Sequence, residues 1–191
     1  MMQEVISIFP TSYLFISKCI NFKEIYDLVY SYKDDDIDNS DFSWGVNCDV
    51  DKISISDREF YPLISKNIQA FANNIGLILK TEIHSPWINL YKRGQYQEIH
   101  DHSDHDFAGT IFMNNDIDFA KFYFFDRNSH RSPDIIKNAF NLHNSFYPPI
   151  EQGTILIFPG HMLHGVSQHK SDKVRKTLSF NFDVLDGKHC S

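Results

Sequence analysis

Leu77-Ile78-Leu79-Lys80-Thr81-Glu82-Ile83-His84-Ser85-Pro86-Trp87-Ile88-Asn89-Leu90-Tyr91 is the stretch whose pattern decides the fold. From Leu77 onward the apolar residues recur at every second position or in short runs parted by turn residues, the period of half-buried strands rather than helices. Over Trp87 to Tyr91 the alternation sends Trp87, Asn89 and Tyr91 to one face and Ile88 and Leu90 to the other. The aliphatic pair suits packing beneath helices, which leaves the polar aromatic face for the inside of a barrel.

The same reading carried forward predicts strands at about 78–83, 86–92, 97–101, 107–113, 119–125, 154–158, 163–167 and 174–184. Eight short strands suffice for a double-stranded β-helix, a cupin-like jelly roll, so the fold class is mainly β with flanking α. The stretch 126–150, with Pro133, Pro148 and Pro149, is too long for a tight turn. It is predicted to hold a short helix over 133–140 and, through Arg127, Arg131 and His143, to act as a lid that helps choose the substrate.

Carried backward, the pattern becomes helical. Asn21 stands as a cap before Phe22, Ile25, Leu28 and Val29, with Glu24 at the capping-box position. Ser56-Asp57-Arg58-Glu59 is a second start signal, followed by Phe60, Ile64, Ile68, Phe71 and Ile75 and then Gly76 as a stop. Pro62 fits that helix only if it begins a few residues after the cap signal. Both helices are predicted to pack on one sheet. The expectation is one domain over 1–191, with 1–77 as helical support and 78–184 as the β-helix core.

A chain of 191 residues with 42% hydrophobic content can bury one core. Its net charge of -7 and the run Asp34-Asp35-Asp36 argue against a nucleic-acid grip, which needs clustered Lys and Arg. Cys19, Cys48 and Cys190 are odd in number and far apart, so neither a disulfide framework nor a thiolate zinc site is expected. The start, Met1 to Phe15, carries Glu4 and Pro10 and lacks the features of a signal peptide, and no apolar run is long enough for a bilayer. A cytoplasmic protein is the expectation, with a small molecule or a protein side chain rather than a nucleic acid as its partner.

The chemistry concentrates in His102-Ser103-Asp104 and His164. Two histidines and one carboxylate on one face of an octahedron, with the other positions open, suit Fe(II). If His102 and Asp104 lie on a strand, their side chains at i and i+2 converge, and His164, after the run Thr154 to Pro159, arrives from a remote strand. An H-x-D triplet is a weak signal in a chain with ten histidines. His100, His102 and His105 compete for the first positions, and His161 competes with His164. His100-x-His102 offers a two-histidine alternative, and His105, Asp106 and His84 read as a solvated polar rim. Farther on, Arg175, Thr177 and Asn181 share one strand face, while Lys176 alternates away from it.

The ordered set Trp87-x-Asn89-x-Tyr91-x-x-Gly94, His100-x-His102, Ala108-Gly109, Gly153-Thr154 to Phe158-Pro159, His164-Gly165-Val166, Arg175 and Ser179-Phe180-Asn181 resembles the 2-oxoglutarate and Fe(II)-dependent dioxygenases. More narrowly it resembles the 2OG-Fe(II) oxygenase group common in bacteriophages, related to the prolyl 4-hydroxylase fold, over roughly residues 86–183. The resemblance implies an oxidoreductase that uses Fe(II), 2-oxoglutarate and O2 and releases succinate and CO2. It implies iron ligands at His102, Asp104 and His164, and 2-oxoglutarate on Arg175, with Thr177, Tyr91, Asn89 and Asn181 as further contacts. Many relatives carry H-x-H-x-N where this chain offers Asp104, so His100 or Asp104 completes the iron's face. Two rival readings stand beside it: a jelly roll that binds or supports without catalysis, and a cupin-like metal enzyme that uses His100, His102 and His164 without 2-oxoglutarate.

Overall fold

The structure, a computed structural model, describes residues 13–33, 36–37, 48–127, 133–139 and 144–189. The acidic run at 34–36 lies largely outside them, as do Arg131, His143 and Cys190. In chain order the elements are β1 (Phe15–Lys18), α1 (Phe22–Ser31), β2 (Cys48–Asp49), β3 (Asp51–Ser54), α2 (Asp57–Asn74), β4 (Leu77–Tyr91), β5 (Tyr96–His100), β6 (Phe107–Phe112) and β7 (Phe122–Phe125). After these come α3 (Asp134–Ala139), β8 (Ser145–Phe146), β9 (Thr154–Pro159), β10 (His164–Val166) and β11 (Arg175–His189).

The strands form two antiparallel sheets, a major one ordered β1-β9-β6-β11-β4-β3 and a minor one ordered β2-β5-β10-β7-β8. From β4 onward the chain crosses repeatedly between them, which closes the sandwich as a jelly roll. Alternation divides the residues of the major sheet between two cores. Ile88, Leu90, Ile111, Ile155, Ile157, Leu178 and Phe182 join Ile25, Val29, Phe60, Ile64, Ile68 and Phe71 of the helices in one cluster. Tyr91, Ala108, Phe112, Leu156 and Phe158 turn inward to Phe122, Phe124 and Val166 of the minor sheet. β9 is buried along its whole length, which is why its sequence reads as a continuous apolar run.

Several boundaries differ from the prediction. The strands expected at 78–83 and 86–92 are one strand, β4, which stays paired to β11 through a bulge. Ser85, with φ 40°, takes up the extra residue, so Trp87 faces Ser179 while His84 faces Asn181. β11 runs five residues past its predicted end, and β7 begins at Phe122 rather than 119. β1, β2, β3 and β8 are two to four residues long, too short to show a period. α2 begins at Asp57 with Pro62 inside it. Pro62 is exposed, so the carbonyl that it leaves without a helical N–H can turn to water. Neither Asn21 nor Ser56 makes a side-chain cap: Asn21 is left-handed at φ 59° and its carbonyl receives the first helical bond from Ile25, while the Ser56 carbonyl accepts from Glu59 and Phe60.

Gly109 is fixed by packing. A Cβ there would lie 2.3 Å from the ring of Phe180, which is fully buried and 5.4 Å from the ring of Phe60. Gly109→Ala is expected to lower the unfolding free energy by about 1–3 kcal/mol, the usual range for overpacking, measured by urea denaturation.

Candidate metal centre and anion pocket

β5 and β10 are antiparallel neighbours, and their register places His164 directly opposite His100. His102 lies two residues past the end of β5, where its N–H donates to the Gly160 carbonyl (2.7 Å) and its carbonyl accepts from His105 (2.9 Å). Gly160 in turn donates to Asp106 (2.9 Å). A Cβ at Gly160 would stand 2.2 Å from the His105 carbonyl oxygen and 2.5 Å from that of His102, so only glycine lets the loop come this close. The result is a cluster of three imidazoles. Ring centroids are 4.4 Å apart for His100 and His164, 5.3 Å for His100 and His102, and 5.2 Å for His102 and His164. One nitrogen of each ring lies within 4.8 Å of the other two.

Two of the rings are oriented by backbone. His100 Nδ1 is 2.7 Å from the Glu98 carbonyl and His164 Nδ1 is 2.9 Å from that of Met162. A carbonyl can only accept, so Nδ1 carries the proton and Nε2 keeps its lone pair. Burial holds all three imidazoles below the usual histidine range, helped by neighbouring histidines at His102 and His164 and by Lys52 at His100 and His102, and His102 is brought down to about 3. They are neutral at pH 7, the form that binds metal.

Asp104 does not join them. β5 ends at His100, and the Asp101 carboxylate accepts both the Ser103 N–H (3.2 Å) and its hydroxyl (2.9 Å). That side-chain turn bends the chain and leaves Asp104 exposed. The strand geometry predicted for His102 and Asp104 is therefore corrected: the donors that meet are His100, His102 and His164.

The same cavity is lined by Arg175, Tyr91, Asn89, Thr177 and Asn181 from the major sheet. Arg175 opposes Tyr91 in register, with its guanidinium 4.7 Å from the Tyr91 ring centre and 5.4 Å from that of Phe112. It is 3% exposed, its Nη1 is buried without a hydrogen bond, and among the described residues no carboxylate pairs with it. Asn181 Oδ1 is likewise buried and unpartnered. Asn89 instead spends its amide inside the protein: it donates to Thr177 (3.2 Å) and Ser179 (3.1 Å) and accepts from the Trp87 indole (3.0 Å). The pattern reading missed Gln97, buried on β5, whose Oε1 accepts from the Tyr91 hydroxyl. Only the facing of β5 and β4 across the sandwich reveals it.

Residues 85–181, about half of the chain, match the family model described as Putative 2OG-Fe(II) oxygenase. The chain belongs to this family. The oxygenase shares its fold with a prolyl-4-hydroxylase of Pseudomonas putida at TM-score 0.63 and 10% identity, over 91% of this chain and 93% of that one. An oxidoreductase of the 2OG-Fe(II) oxygenase family from Burkholderia pseudomallei matches at TM-score 0.61 and 12% identity, over 88% and 80%. HygX of Streptomyces hygroscopicus, solved with nickel and 2-oxoglutarate bound, matches at TM-score 0.61 and 7% identity, over 92% and 84%. No curated protein sequence matches. Among the described residues no helix is long and apolar enough to cross a membrane.

Family membership makes the chain an oxidoreductase that works with Fe(II), 2-oxoglutarate and O2, and its cavity fits that set. Three neutral imidazoles suit a divalent ion, and a buried guanidinium with an orphaned nitrogen suits a carboxylate. Gly160→Ala is expected to weaken Fe(II) binding by the oxygenase roughly 10- to 100-fold by displacing the His102 loop, measured by anaerobic titration. A second expected outcome concerns pH. His102 and His164 stay neutral when folded but take protons near pH 6.5 when unfolded, so apoprotein stability should fall as pH drops below about 6.5. Denaturant curves at pH 7 and 5 should show a smaller fall for His102→Gln than for the natural chain.

Proposed function

We propose that the chain is a hydroxylase whose Fe(II) is held by His100, His102 and His164 and whose 2-oxoglutarate is anchored on Arg175. The observation that carries this reading is the buried Arg175 in the cavity of the three histidines, with Tyr91 as a neutral partner and its Nη1 left without a hydrogen bond. Without an anion such a cation is costly; a carboxylate can accept two parallel charge-assisted bonds from it. The cupin-like rival uses the same histidines but gives Arg175 no role.

The chemistry supplied by Fe(II) with 2-oxoglutarate is oxidative decarboxylation of the cosubstrate to succinate and CO2, coupled through O2 to hydroxylation of a substrate C–H bond. The chain's own residues bind and orient. His100 and His164 present Nε2 because their Nδ1 protons are held by Glu98 and Met162. Tyr91 lies beneath the guanidinium and is steadied by Gln97, which limits how Arg175 can swing. Thr177, held by Asn89, offers its hydroxyl beside Arg175, and Asn181 offers an acceptor to a ligand donor. Apolar Phe122, Phe158 and Val166 close the rest of the cavity and exclude water.

The substrate enters, on this reading, along a groove lined by Phe124, Phe146, Met162, Asp126, Arg127 and His161. Its wall approaches the metal centre at Phe124, 6.3 Å from the His164 ring. Its mix of aromatic and charged groups fits a small molecule or a protein side chain.

The test is succinate formation with Fe(II), ascorbate and 2-oxoglutarate, together with calorimetric 2-oxoglutarate binding. Arg175→Ala is expected to weaken 2-oxoglutarate about 100-fold, from loss of charge-assisted bonds of roughly 3 kcal/mol, while Fe(II) binding persists. Equal affinity in Arg175→Ala, or no binding by the natural chain, would sink the proposal.

A further inference from the structure

A second cluster lies outside the proposed iron centre. His84 on β4, His105 in the loop before β6 and Asp183 on β11 bring one donor atom each to within 4.8 Å of the others. His84 Nε2 is 3.0 Å and His105 Nδ1 3.3 Å from the same oxygen, Asp183 Oδ2. The sequence pattern reads these histidines as a solvated rim, but His84 and His105 are half-buried and stacked, with centroids 4.9 Å apart at 23°.

Ion pairing does not account well for this arrangement. His105 Nδ1–H can donate to Asp183 Oδ2 as a neutral imidazole (3.3 Å), but ion pairs on both sides would require two imidazolium rings face to face, and like charges at that distance repel. His84 Nε2 approaches at an angle that makes no hydrogen bond and remains buried without one. A shared cation removes both difficulties, because each nitrogen then offers a lone pair and the carboxylate oxygen a charge. In a tetrahedral zinc site with ligand bonds of about 2.0–2.2 Å, neighbouring donors are roughly 3.3–3.5 Å apart, close to the two His–Asp separations here, 3.0 and 3.3 Å.

The surroundings are those of a supported ligand set. Asp183 Oδ1 accepts the Asp106 N–H (2.9 Å), which orients the carboxylate and leaves Oδ2 for the cluster. Asp106 Oδ2 accepts the Val184 N–H (2.9 Å), so the loop is tied twice to β11 beside the donors. The side chains of His84, His105 and Asp183 are 25–33% exposed, which leaves solvent able to reach the cluster and complete a fourth position.

We propose that His84, His105 and Asp183 form a second divalent-metal site, a structural zinc site distinct from the iron centre. Its role is to staple the 101–106 loop to β4 and β11. That loop carries His102, and its position is already set by the bonds through Gly160, so an ion at the second site holds a ligand of the first from the opposite side.

The experiment is zinc titration of the full chain after chelator treatment, with bound metal counted by mass spectrometry. The iron centre is silenced with His102→Ala/His164→Ala, so failure of the iron reading cannot be mistaken for failure of this one. That variant is expected to keep one equivalent of zinc and to lose it when Asp183→Asn and His84→Ala are added. Asp183→Asn retains the Oδ1 acceptor for Asp106, and circular dichroism checks that each variant is folded. A folded silenced variant that retains no zinc, or one that retains it unchanged after the added substitutions, overturns the proposal. Anomalous diffraction at the zinc edge on the natural chain gives an answer independent of any variant. A peak between His84 Nε2, His105 Nδ1 and Asp183 Oδ2 is expected, and zinc found only at His100, His102 and His164 overturns it.

Discussion

Along β11 successive side chains take opposite sides of the major sheet, and this alternation separates two environments that could not otherwise lie so close. Leu178 and Phe182 go to the helices, whereas Arg175 and Thr177 go to the interior, where β4 meets them with Tyr91 and Asn89. A one-residue slip in the β4 pairing would put Arg175 beneath the helices and aliphatic side chains into the cavity. The register is held on the helical side by aromatic and aliphatic packing. The bulge at Ser85 falls opposite the step from Ser179 to Asn181, so Tyr91, Asn89 and Trp87 keep an unbroken register with Arg175, Thr177 and Ser179, and a second shift lies farther out between Val184 and Asp186. The helices thus position the site without contributing a residue to its lining.

The interior is unusual in its charge. Among the described residues its lining contains three histidines and one arginine but no Asp or Glu. A metal held by three neutral imidazoles keeps its full double positive charge, and Arg175 adds another nearby. The negative charge needed for balance has to come from the ligand. On the proposed reading a dicarboxylate would supply it at both ends, one toward the metal and one toward Arg175, and each binding event would favour the other.

Much of this is legible in the chain. The period of two from Leu77, the buried run of β9 and the helical spacing from Phe60 to Phe71 each reflect burial on one or both faces, and each identifies its element correctly. The alternation over Trp87 to Tyr91 also places its residues on the correct sides. What cannot be read is what depends on partners far away in sequence. The two- to four-residue strands have no period and exist because neighbours pair with them. Gln97, although six residues from Tyr91, becomes its partner only because the chain crosses to the other sheet between them. The i+2 relation of Asp104 to His102 suggests strand geometry, yet Asp101 turns the chain through Ser103 and carries Asp104 away. His100, the alternative donor in the sequence, is brought to the centre by its register with His164.

The central claim is that one cavity holds a divalent ion on three histidines and a dicarboxylate on Arg175. A crystal structure of the chain grown without oxygen, with Mn(II) in place of Fe(II) and with 2-oxoglutarate, tests it most directly. The account predicts metal bound to His100, His102 and His164, and the distal carboxylate of 2-oxoglutarate paired with Arg175. Metal ligated by Asp104 in place of His100, or a 2-oxoglutarate carboxylate away from Arg175, would contradict it.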